Sequence, residues 1–138
     1  MAAGKPTYLW WNGSRMNWDD ATVHVSALGW STVGAIFEGI RAYWNPDHEE
    51  LYVFRLQEHM DRFARSLKLV RLPETWSMDE LKAAIVDLLQ ANETREDTYI
   101  RPLAYRGGDG RGGFSGIGGE TEILINTHPN QSHLMSGK

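Results

Sequence analysis

Hydrophobic positions along this chain follow two periods, and the switches between them mark its elements. "YLWWNGSRMNW", from Tyr8 to Trp18, reads as a strand, an Asn12-Gly13 turn and a returning strand; Asn-Gly beside such runs is a strong hairpin signal. "ATVHVSALGW" continues as an extended segment. "FEGIRAY" is a strand that ends in the polar turn "WNPDHEE", and "LYVFR" returns antiparallel to it. From Leu56 the spacing changes. Leu56, Met60, Phe63, Leu67 and Val70 recur every three to four residues, the mark of an amphipathic helix, which Pro73 is expected to stop.

"SMDE" opens a second helix with a capping box, Ser77 as N-cap and Glu80 reaching back. Its apolar stripe is Leu81, Ala84, Ile85, Leu88 and Leu89, and Asn92 can close it. Two more strands follow, "TYIRPLAYR" and "TEILINT". They are joined by "GGDGRGGFSGIGG", which holds eight of the chain's fourteen glycines and has little side-chain bulk to order it. About six extended segments with two helices between strand pairs predict an α+β two-layer sandwich, a mainly antiparallel sheet covered on one face by the helices. The expected domain runs over residues 1–127, and 128–138, "HPNQSHLMSGK", read as the start of an interdomain linker.

A length of 138 residues suits one domain with a real core. A net charge of −4 argues against a nucleic-acid partner, which favours a basic face. No segment is long and apolar enough for a membrane span. The absence of cysteine excludes disulfides and thiolate metal sites. No signal peptide is evident at the N-terminus, so a cytoplasmic location is expected and the Asn12, Asn92 and Asn130 sequons are chance matches.

The arginines carry the candidate chemistry. Strand alternation places Phe37, Gly39, Arg41 and Tyr43 on one face, and Tyr99, Arg101, Leu103 and Tyr105 on one face of the later strand. Arg55 lies where a strand ends and a helix begins, where free N–H groups and a guanidinium suit an anion. Each arginine taken alone also fits a plainer role: Arg55 as a surface partner of Glu58, Arg41 or Arg101 in an edge-strand ion pair. Three together among aromatics point to a pocket for small anions, because an unpartnered buried charge is costly.

Other signals carry less. Gly108, Gly110 and Gly113 match GxGxxG, but the loop leads to another strand and not to a helix, so a dinucleotide site is rejected. The five histidines show no metal-ligand spacing with one another, and no metal is expected. His59, beside Glu58 and Asp61, reads as solvated surface, and His24 as a satisfied structural histidine. Trp10 and Trp11, adjacent in a strand, must face opposite sides, which leaves one of them free to meet a partner.

In order, "YLWWNG", "FEGIRAY", "VFRLQEHMDRFARSLKL", "MDELKAAI" and "YIRPLAYRG" resemble the N-terminal domain of the branched-chain amino acid aminotransferases, class IV, fold-type IV enzymes. The resemblance runs from Tyr8 to Thr127. It implies pyridoxal 5'-phosphate as cofactor, with its phosphate gripped by Arg55, and a substrate wall of Phe37, Gly39, Arg41, Tyr99 and Arg101. Arg101 would face the distal carboxylate of a dicarboxylate co-substrate, Arg41 would support that wall, and Tyr99 would donate to the α-carboxylate. The implied chemistry is reversible transfer of an amino group between an amino acid, or another amine, and a 2-oxo acid. A homodimer is implied, with the loop around Gly112 to Ser115 as a candidate for the shared contribution.

The family's Schiff-base lysine lies in a C-terminal cofactor domain beyond this chain. None of Lys5, Lys68, Lys82 and Lys138 matches it, so no catalytic residue is assigned and this segment alone is expected to be inactive. Thr32 and His133 stand where an aromatic is common in branched-chain members, which opens the way to a wider pocket. Two further readings stay open: a lyase of the same fold, similar to the aminodeoxychorismate lyases, and a non-catalytic domain that dimerises or binds anions.

Overall fold

A computed structural model describes residues 4–27, 34–107 and 120–130. The strands are β1 (Tyr8–Trp11), β2 (Ser14–Asn17), β3 (Ile36–Phe37), β4 (Ile40–Asn45), β5 (Glu50–Val53), β6 (Thr98–Arg106) and β7 (Thr121–Pro129). The helices are α1 (Leu56–Leu69) and α2 (Met78–Ala91). The sheet is antiparallel, ordered β2-β1-β7-β6-β4-β5, with β3 also on β6. Both helices pack on one face, so the architecture is the expected α+β two-layer sandwich.

Core residues come from the strand positions that alternate inward and from the helix stripes. Ile40, Ala42, Ile100, Ile123 and Ile125 meet Met60, Phe63 and Leu67 of α1 and Leu81, Ile85 and Leu88 of α2. Trp10 joins this core edge-on to Trp76, with ring centroids 5.3 Å apart. Trp11 points to the other face, where its Nε1–H donates to the Tyr105 oxygen at 2.7 Å. Asn12 and Gly13 hold positive φ (48° and 99°), as a tight hairpin turn demands.

β3 and β4 are one strand with an interruption. Ile36↔Ala104 and Phe37↔Leu103 share their register with Ile40↔Ile100 and Arg41↔Tyr99. Between them the Glu38 N–H donates to the Pro102 carbonyl at 3.0 Å. Pro102 has no N–H to return, so the ladder loses a rung where the site residues cluster.

Three expectations change. "ATVHVSALGW" is not extended over its described part: Val25–Ala27 is a single 3-10 turn, after another at Trp18–Asp20, closed by local bonds such as Ala27 N–H to the His24 carbonyl. β2 lies at the edge of the sheet, so the chain leaving it finds local partners instead of a strand. Pro73 does not stop α1. The helix ends earlier, at a left-handed Arg71 (φ 58°), with Leu72 N–H to the Leu67 carbonyl and Arg71 N–H to the Lys68 carbonyl. The last strand runs through His128 and Pro129, two residues past "TEILINT". Asn92 does close α2, and its side chain also binds the Tyr8 backbone N–H and carbonyl, tying the helix end to β1.

Candidate functional site on the open sheet face

The face away from the helices carries the predicted residues in rows that cross the strands. Arg41 stands opposite Tyr99, and Tyr99 opposite His128. On the other side the Phe54 N–H donates to the Arg41 carbonyl at 2.8 Å, so the first row reads Phe54, Arg41, Tyr99, His128. The next row brings Arg101 beside Asn126, whose Oδ1 accepts from the Arg101 Nε at 3.2 Å. Phe37, 60% exposed, stands opposite Leu103 one row further on.

Gly39 is the gap in this surface. A Cβ built there would stand 2.9 Å from the Tyr99 Cε2 and 3.0 Å from its Cζ, so the phenol lies against bare backbone. The other side of the Tyr99 ring meets His128, with centroids 4.9 Å apart and planes tilted by 40°.

Arg55 enters from the strand-to-helix corner. It is the N-cap residue of α1 and holds a left-handed backbone (φ 51°, ψ 44°), which turns the chain from β5 into the helix. Its guanidinium sits 5.5 Å from the Phe54 ring centroid, a cation–π contact. Neither Arg41 nor Arg55 has an ion pair or side-chain hydrogen bond among the described residues, so the expected partner Glu58 is not engaged. Two guanidinia with no ion pair among the described residues, with Arg101 beyond Tyr99, give this face N–H donors of the kind that phosphate or carboxylate oxygens accept from.

Sequence reasoning missed a second group behind this wall. Glu38, between Phe37 and Gly39, alternates inward and is only 3% exposed. Arg62 donates to it twice, Nε to Oε1 at 2.8 Å and Nη2 to Oε2 at 2.7 Å, and His59 Nδ1 lies 2.8 Å from Oε2. Burial alone would raise the Glu38 pKa; the hydrogen bonds and charges of Arg62 and His59 outweigh it and hold the carboxyl below its ordinary value. His59 is therefore not solvated surface, since it faces a buried carboxylate. The signal was present: an acid on the inward phase of a strand needs a partner, and His59 and Arg62 lie three apart on one helix face.

At the far end the face is closed by its own chain. Tyr105 sits under Trp11 and beside Glu122, and burial with the Glu122 carboxylate pushes its phenol above the ordinary range, so it stays protonated. A cleft of about 640 Å³ lies elsewhere, between the β4–β5 hairpin and α2. Its lining sets Glu49, Glu50 and Glu93 against Arg95, a net negative charge that disfavours an anionic ligand. Among the described residues no cluster could hold a metal ion and no helix is long and apolar enough to cross a membrane. Thr32, His133, the GxGxxG glycines and the Gly112 to Ser115 loop lie outside the described residues.

Comparisons with known proteins agree on one family. The family described as amino-transferase class IV matches residues 35–137. The branched-chain-amino-acid aminotransferase of Escherichia coli strain K12 is 37% identical over 134 residues, 97% of this chain and 42% of that protein. A crystal structure of the branched-chain amino acid aminotransferase from Thermobaculum terrenum, in its PLP form, superposes with a TM-score of 0.86 at 44% identity, covering 95% of this chain and 42% of that one. The T.th. branched-chain amino acid aminotransferase complexed with N-(5'-phosphopyridoxyl)-L-glutamate gives a TM-score of 0.74 at 31% identity, over 91% of this chain and 41% of that one. The chain thus spans about two fifths of the length of these relatives. It belongs to the class IV aminotransferase family and corresponds to the N-terminal domain of its branched-chain members.

Proposed function

We propose that the intact protein is a pyridoxal 5'-phosphate-dependent aminotransferase acting between an amino acid and a 2-oxo acid, and that the open face of this domain is its substrate wall. The observation that carries the reading is the row Phe54, Arg41, Tyr99, His128 beside Arg101 and Asn126. It presents guanidinia that have no ion pair among the described residues around one phenol. Relatives named branched-chain aminotransferases support aliphatic amino acids as donors.

The donor set suits the cofactor, since a phosphate is held by guanidinium N–H groups that still have donors to give. When bound, pyridoxal phosphate supplies the group that carries the amino function between the two substrates. The residues of this domain bind and orient. Tyr99 donates its O–H to the substrate α-carboxylate, and Arg101, steadied by Asn126, receives the distal carboxylate of a dicarboxylic partner. Arg41 adds positive potential beside them. Phe37, exposed next to Gly39, supplies apolar contact for an aliphatic side chain.

Arg55, at the start of α1, is the candidate for the cofactor phosphate. A second reading puts that phosphate on Arg62. It is favoured by the two-point clasp from Glu38, which fixes the guanidinium while its side chain stays 60% exposed. Equilibrium dialysis of pyridoxal 5'-phosphate against the intact protein separates the two. The arginine that holds the phosphate loses about tenfold or more in affinity on change to Ala, and the other stays close to the unsubstituted value.

The reaction itself is tested with the intact protein, L-leucine and 2-oxoglutarate. Glutamate and the leucine-derived 2-oxo acid, formed in equal amounts, are expected. Elimination products would point to a lyase instead, and absence of turnover with retained anion binding would leave a binding domain. A homodimer, implied by the family likeness, is tested by sedimentation of the same sample.

A further inference from the structure

We infer that His128 is a positioning residue for Tyr99: its imidazole keeps the phenol over Gly39 and so sets how firmly the site grips a substrate carboxylate. The inference rests on the amino-transfer reading of Tyr99 and extends it to a residue on the neighbouring strand.

His128 lies directly across from Tyr99 in the β6–β7 register, and the two rings meet at 4.9 Å between centroids. On the opposite side the phenol stops at the Gly39 backbone, where even a methyl group would collide with it. Tyr99 is therefore bounded by a backbone that cannot yield and by a ring on a β-strand. Its third neighbour, Arg41, stands across from it on β4 and has no side-chain partner of its own among the described residues. Without the imidazole, the phenol is free to swing about χ1 toward β7, into the space His128 fills. A donor already fixed in place loses little entropy when substrate binds, whereas a swinging donor must be ordered each time. His128 is itself exposed. Its contact with Tyr99 therefore adds little to the folded core, and its effect is felt at the phenol.

The intact, cofactor-loaded protein is assayed for KM and kcat with 2-oxoglutarate as acceptor. His128→Ala is expected to raise KM about fivefold with kcat within about twofold, as expected when grip on the ground state and transition state falls equally. His128→Phe keeps a ring at that place and is expected to restore KM. Tyr99→Phe removes the hydroxyl, and adding His128→Ala to it is expected to change KM no further. A crystal structure of the His128→Ala protein is expected to show the Tyr99 ring turned away from Gly39. If His128→Ala fails to fold, His128→Thr, whose short β-branched side chain suits a strand and leaves the space of the ring open, takes its place with the same expected outcomes.

Additive effects of the two changes would overturn the inference. So would a phenylalanine that behaves like alanine, or a Tyr99 ring that stays over Gly39 without the imidazole. Lack of amino transfer by the unsubstituted protein would remove the functional reading together with the inference; transfer with additive changes would remove the inference alone.

Discussion

Arg62 holds Glu38 at both carboxylate oxygens, Nε to Oε1 at 2.8 Å and Nη2 to Oε2 at 2.7 Å, and so pins the interrupted strand to the second turn of α1. The clasp sits directly behind Gly39, under the surface that carries Tyr99 and Arg101. Strand and helix are thereby locked at the point where the sheet has lost a rung to Pro102.

Acid should release this lock. The Glu38 carboxyl is held below its ordinary 4.5 in the folded protein. Its stabilising contribution is therefore complete above that value and is lost as pH falls through the lower folded pKa. Urea unfolding of the unsubstituted protein and of Glu38→Gln, run from about pH 6 to about pH 3, should show a stability gap that narrows on the acid side. A gap that stays constant across that range would mean that the carboxylate charge is not what holds strand to helix.

Gly39 should tolerate no side chain. A methyl group there meets Tyr99 at 3.0 Å or less, and the neighbouring backbone is fixed by the Glu38 clasp, so the phenol has to move. Gly39→Ala is expected to raise KM for the amino acid about tenfold while lowering stability by about 1–2 kcal/mol. Combining it with Tyr99→Ala should recover the stability but not the KM. Recovery of both would show that Tyr99 takes no part in binding.

The helices, the hairpins and the side of the sheet that meets them were legible because each is fixed by a local rule. Ser77 and Glu80 form the capping box their spacing promised, with bonds of 2.7 and 3.1 Å. The open-face row was legible in part, since alternation alone puts Arg41 and Tyr99 outward. Which strands would pair was not, because pairing is a long-range property, and so His128 could not be set against Tyr99. The Glu38 group escaped for the same reason: its partners lie 21 and 24 residues away, on a helix whose rotation only packing decides. The end of α1 was misplaced because the rule for proline is strong and that for a left-handed Arg71 is not: any chain can enter that conformation at some cost.

That cost can be removed. Arg71 (φ 58°) and Glu93 (φ 50°) both close a helix in the left-handed region, where Thr94 N–H to the Leu89 carbonyl repeats at α2 the bond made by Leu72 at α1. Neither carries a Cβ gladly there. Arg71→Gly and Glu93→Gly should each stabilise the fold by about 0.5–1 kcal/mol, with the two effects adding. Thermal unfolding of the single and double variants checks this; a loss of stability in either would show that its side chain does more for the fold than the strained backbone takes away.

Substrate choice should divide between Phe37 and Arg101. Arg101 has its Nε committed to Asn126, which fixes the plane of the guanidinium while both terminal nitrogens have no partner among the described residues and can meet a carboxylate. Arg41 has no such brace among the described residues, so it lends charge without geometry. Arg101→Leu should therefore reduce kcat/KM for 2-oxoglutarate by about 10- to 100-fold and leave an aliphatic 2-oxo acid within about threefold, the loss expected for one charge-assisted pair. Arg41→Leu should lower both by a similar, smaller factor, because a change in potential acts on any anion in the site. Asn126→Ala should fall between, raising KM for 2-oxoglutarate through a guanidinium no longer held in its plane. The order Arg101→Leu, Asn126→Ala, unsubstituted in dicarboxylate preference checks the assignment. Equal losses for both acids on Arg101→Leu would mean that this arginine grips the carboxylate common to the two, and Tyr99 would then need another role.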